Sequence, residues 1–128
     1  MKLTGRKEKK VFYPDDPDQA FVIIQYLKPG VREQIESLSN IVTAEEGADG
    51  EFGTKVEFNL SKKRKLFYEK LIVSWGGWQD VKGKEMKLNS NNVERVTDEI
   101  SGFYLWLQET SDEFIDEVES EADTELGN

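Results

Sequence analysis

Between Leu60 and Trp75 the chain sets Phe67, Leu71 and Trp75 at four-residue intervals, and Leu66, Tyr68, Ile72 and Val73 widen the same apolar side. A face that broad must be buried, so the segment reads as a central core helix over 60–75. Gly76-Gly77 then supplies the left-handed stop. Phe67, Leu71 and Trp75 are accordingly the expected structural core. With 128 residues, 37% of them apolar, the chain has material for one domain and a modest core.

The remaining segments predict a small α+β fold. Val11-Phe12-Tyr13 reads as a short strand stopped by Pro14, and Asp15-Asp16-Pro17-Asp18 as a turn. Residues 21–27 are β-branched and aromatic between turn signals, which suits a buried strand. Val31, Ile35 and Leu38 share one face of a short helix over 31–38. Segments 41–43 and 55–58 flank the Gly47, Gly50, Gly53 loop as the arms of an antiparallel hairpin. Asn91 with Glu94 reads as a capping box opening a helix over 92–100. Phe103, Trp106, Leu107, Thr110, Phe114 and Val118 keep a 3-4 spacing through a last helix over 103–119. The expected organisation is a flexible basic leader at 1–10, a single domain at 11–119 and a disordered acidic tail at 120–128.

Histidine and cysteine are both absent. Their loss removes the usual zinc sites, Ser-His-Asp and Cys-His pairs, haem and iron-sulfur ligation, and disulfides. It also removes the side chain that ordinarily titrates near neutrality, which disfavours acid-base catalysis. The expectation is a non-enzyme without a cofactor. No apolar run reaches the roughly 18 residues of a membrane span, and Pro14-Asp15-Asp16 follows the basic start where a signal peptide would be apolar, so a cytoplasmic protein is expected.

The net charge of −9 resides in residues 109–128, which hold nine acids and no base, while the rest balances at 17 against 17. Basic clusters stand at residues 2–10 and at Lys62, Lys63, Arg64, Lys65, with no aromatic residues interleaved for base stacking. Nucleic acid is therefore not an expected partner. The stretch from Gly77 to Lys84 brings a phosphate-binding P-loop to mind, but its glycines are one residue too far apart and Glu85 stands where a magnesium-binding Ser or Thr belongs. Glu45, Glu46, Asp49 and Glu51 lack the alternate spacing of a calcium loop and read as a polar hairpin tip, and Asp15, Asp16 and Asp18, which could serve a carboxylate nuclease as metal ligands, read as a turn because Pro14 and Pro17 adjoin them. Trp75, Trp78, Phe103 and Trp106 read as core. The apolar seam of the last helix, with Phe103, Trp106, Leu107 and Phe114 as its contact residues, is the candidate surface for a partner or for a homo-oligomer.

One longer pattern runs through the second half. Val73-Ser74-Trp75-Gly76-Gly77 is followed by Asp80 and Gly83, by Leu88 and Asn91-Asn92-Val93, and by Phe103-Tyr104-Leu105-Trp106-Leu107-Gln108-Glu109. Over about residues 60 to 110 this resembles the small tail assembly chaperones of long-tailed bacteriophages and prophages. The resemblance implies a cytoplasmic protein of the bacterial host cell that escorts the tape measure protein while the tail tube polymerises around it. An acidic DNA mimic that occupies a nucleic-acid-binding protein, or another protein-interaction module, is the alternative that charge and composition leave open.

Overall fold

The computed structural model describes residues 5–40 and 51–127 and shows a small α+β fold, a three-stranded antiparallel sheet with four helices. The elements are β1 (Glu8–Phe12), β2 (Phe21–Gln25), α1 (Pro29–Asn40), α2 (Glu51–Leu71), β3 (Ile72–Gly76), α3 (Ser90–Glu99) and α4 (Phe103–Gly127). They gather in two compact units, Leu27–Lys70 and the remainder.

In the larger unit β2 is central, paired antiparallel to β1 on one side and to β3 on the other. Cross-strand partners share a face, and the register sets Lys9 beside Ile24, Val11 beside Val22, and Val22 beside Trp75. Val22 and Ile24 on that face are fully buried, while Phe21, Ile23 and Gln25 on the other are half-buried. The alternation along β2 is what a strand with one core face requires. Phe103, Leu107, Ser111, Phe114, Ile115 and Val118 form one buried stripe along α4. Lys9 Nζ stands 5.9 Å from the centre of the Phe114 ring, which locates that stripe beside β1.

The smaller unit holds α1 and all but the last residue of α2. Pro29 opens α1 in the first turn, where its missing N–H has no helical acceptor to lose. Ile35 is buried, with Val31 and Leu38 half-buried, on the face expected for them. Lys63 of α2 reaches Glu36 of α1 at 3.4 Å.

Several boundaries differ from expectation. The helix predicted to run to Trp75 ends at Leu71, and Ile72 to Gly76 form β3 with no linker between. Trp75 is thus a strand residue. β-branched Ile72 and Val73 favour a strand, and a ladder partner on β2 outweighs the chance four-residue spacing. Residues 55–58, expected as a strand, are helical within α2. Phe52, Val56 and Leu60 carry the helical spacing upstream from Phe67 there. The strand expected at 41–43 lies outside the described residues. β1 begins at Glu8, inside the expected leader, and α4 continues through the expected tail to Gly127. The cap of α3 is Asn89, not Asn91: its Oδ1 accepts the Asn92 N–H at 2.8 Å.

Burial transfers the core role from Trp75, half-buried, to Trp78, which is 4% exposed. Truncating a buried Trp costs about 3–5 kcal/mol. Urea denaturation of Trp78→Ala should therefore show a loss of that order, with Trp75→Ala losing roughly half as much or less. The reverse ranking would place the core elsewhere.

Candidate functional site

The site builds outward from a short hairpin. Gly76-Gly77 leaves β3, and Trp78 to Met86 fold back on themselves: the Met86 N–H donates to the Trp78 carbonyl at 2.8 Å, and Gln79 bridges Glu85. The Gly83 N–H closes the tip on the Asp80 carbonyl at 2.9 Å, with Gly83 left-handed at φ 79°. The Asp80 carboxylate accepts from the backbone N–H groups of Lys84 and Lys82 at 3.0 and 2.9 Å. The bond from Lys84, then the one from Lys82, holds its carboxyl below the ordinary value of 3.8. Glu85 Oε1 accepts the Gly77 N–H at 3.1 Å. Three amides of the stretch that resembles a P-loop, those of Gly77, Lys82 and Lys84, are thus occupied by the chain's own carboxylates, and those of Asp80 and Gly83 by its carbonyls.

Behind the hairpin five rings interlock. Trp78 meets Phe103 edge-on at 5.3 Å, Tyr13 edge-on at 5.7 Å and Trp75 at 5.7 Å, and Tyr13 meets Trp106 edge-on at 5.0 Å. These are favoured aromatic geometries. The indole N–H groups are also engaged, Trp78 Nε1 donating to the Phe21 carbonyl at 2.9 Å and Trp75 Nε1 to that of Met86 at 3.0 Å. Tyr13, read as the end of a strand, belongs to this cluster. Its place before Pro14 gave no sign of it.

A cleft of about 280 Å³ opens beside the cluster, lined by Tyr13, the Asp15 turn, Gly77, Trp78, Gln79 and Ile100. The turn is built as the sequence suggested. Asp16 accepts from the N–H groups of Ala20 at 2.8 Å and Asp18 at 3.3 Å, while Asp15 and Gln19 take left-handed φ of 57° and 54°. Gly77 lets the end of β3 approach it: a Cβ there would stand 2.8 Å from Ala20 Cα, at a φ of 79° that L side chains rarely adopt.

Of the residues singled out for partner contact, Phe103 and Leu107 are fully buried and Phe114 nearly so, within their own chain. They have no side chain left to offer a partner's groove. Trp106 is half-buried, and its neighbour Leu105 is 57% exposed. Phe67 and Leu71 are buried as expected. The acids of α4 are partly matched by β1 and the residue before it, Lys9 with Glu117 at 2.7 Å and Lys7 with Glu121 at 3.6 Å. Among the described residues no group of three or more acids is gathered where it could hold a metal ion, and no helix is long and apolar enough to cross a membrane.

Comparison of the chain with protein-family models, with curated proteins and with solved structures found no match.

Two substitutions test the construction. Gly77→Ala meets both a backbone clash and an unfavourable φ, so it should destabilise the fold by about 1–3 kcal/mol in urea titration, where an unstrained Gly→Ala would stabilise it slightly. Asp80→Ala should lower Tm at pH 7. Because folding lowers the Asp80 pKa, its contribution is present above the ordinary value of 3.8 and fades as pH falls through the folded value. The Tm gap between parent and Asp80→Ala should then narrow below about pH 4. A gap that held constant would remove the carboxylate from the turn's stability.

Proposed function

We propose that this protein is a non-enzymatic tail assembly chaperone of a long-tailed phage or prophage, acting in the bacterial cytoplasm on the tape measure protein. One observation carries the reading. Part of the motif, Val73 to Gly77, the Asp80–Gly83 turn, Phe103 and Trp106, forms a connected assembly: β3 leads into the hairpin, and the Trp78 ring joins it to the start of α4. Contact among these positions supports reading them as one structural motif, which is how the sequence resemblance takes them.

The surface chemistry is compatible with the role. Leu105, Glu109, Asp112 and Asp116 recur at helical spacing along the exposed face of α4, an apolar residue at the head of an acidic row. An apolar contact flanked by charge can hold a helical client and keep the complex in solution. The DNA-mimic alternative is weakened because Glu117 and Glu121 face the chain's own lysines.

Co-expression with the tape measure protein of the same phage genome tests this. The expected result is a co-purifying complex that survives 1 M salt, where the Debye length is only about 3 Å, together with a gain in the client's solubility. Leu105→Asp, at an exposed position that leaves the core alone, should weaken the complex about tenfold or more. No complex and no gain in solubility overturns the chaperone reading.

A further inference from the structure

We infer that the end of α4, from Glu119 onward, is a strap that charge holds beside Lys7 and Tyr26 and that rising ionic strength releases. Apolar anchoring stops short of it. Phe114, Ile115 and Val118 are buried, whereas Glu119, Ser120 and Glu121 are exposed and Ala122 is half-buried, yet the helix continues to Gly127. Its own sequence gives it little support there. Residues 119–127 hold four acids and no Lys or Arg, so they contain no i,i+4 ion pair, and their charge sits at the negative end of the helix, where a base would be favoured.

Polar contacts to the other end of the chain hold it instead. Lys7 Nζ lies 3.6 Å from Glu121, and the Tyr26 hydroxyl donates to Glu119 at 3.3 Å. Lys9 Nζ donates to Glu117 at 2.7 Å just before the strap begins. The spacings match: lysines two apart share one side of an extended chain, and glutamates four apart share one side of a helix. The four side chains of the ion pairs are 37–68% exposed, so solvent ions reach them. A tie that is polar, exposed and confined to one end of a helix can let go while the buried residues up to Val118 stay in place. Release frees the Lys7 ammonium and the Tyr26 hydroxyl from their carboxylates, so salt alters which charges this end of the unit presents.

The inference does not rest on the chaperone reading, and its test needs no tape measure protein. Amide hydrogen exchange of the full chain is followed residue by residue by NMR at about 0.01 M and 1 M salt, between which the Debye length falls from roughly 30 Å to 3 Å. Protection at residues 120–125 should drop about three- to tenfold at the higher salt, the span that two exposed contacts of this kind support. Protection at residues 107–118 should hold. Screening also relaxes the repulsion among the acids of the strap, so substitutions isolate the tie. Lys7→Glu and Glu121→Lys should each lose the protection already at low salt, and the two together should restore it. Lys82→Glu makes the same change in net charge as Lys7→Glu at an exposed position of the hairpin, and should leave the strap as it is in the parent. Protection at 120–125 that is equal at the two salts or absent from the parent at low salt, an equal loss in Lys7→Glu and Lys82→Glu, or no recovery in the exchanged pair would each overturn the inference.

Discussion

The larger unit is organised by the fixation of one indole. Trp78 leaves the sheet after two glycines, and a Trp in such a connection has a large apolar area to bury and an N–H that cannot be buried alone. Both needs are met at once: the N–H bonds the Phe21 carbonyl at the start of β2, and the ring packs against Tyr13, Trp75 and Phe103. Those partners come from the segment after β1, from β3 and from α4. A single side chain thereby joins the strands to the last helix, and the close approach at Gly77 is the backbone condition for it.

Electrostatics adds a weaker tie across the same unit. Basic β1 and acidic α4 look like unrelated tails along the sequence, yet Lys9 meets Glu117 and Lys7 approaches Glu121. Tyr26 donates from its hydroxyl to Glu119 at 3.3 Å. The ion pairs are partly exposed, so each contributes about 0–1 kcal/mol and less in salt. The buried stripe from Phe103 to Val118 fixes which face of α4 turns inward, and the pairs agree with it while Glu109, Asp112 and Asp116 stay outside.

What was legible in the sequence follows from which physical signals are local. The period of α4, the β-branched composition of β2, the Asp16 turn and the Asp80–Gly83 turn are written within a few residues, and all are present. The end of α2 was not legible, because Phe67, Leu71 and Trp75 keep helical spacing across a point where the chain changes to a strand. Only the distant ladder to β2 decides that point. Residues 55–58 show the converse error, an alternating stretch that its neighbours carry as helix. The α3 cap moved by two residues because Asn89, Asn91 and Asn92 are all competent caps, and composition does not choose among them.

The candidate site was half legible for the same reason. Its acids were visible as a turn and its tryptophans as core, but the cleft exists only because tertiary structure sets the two side by side with Ile100. Trp78 belongs to both the core and the wall, and this limits how the site can behave. A wall residue that also bonds Phe21 and packs on Phe103 cannot swing aside without loosening the sheet from α4. The aromatic side of the cleft is therefore as rigid as the fold, whereas the carboxylates of Asp15 and Asp18 lie exposed on the turn.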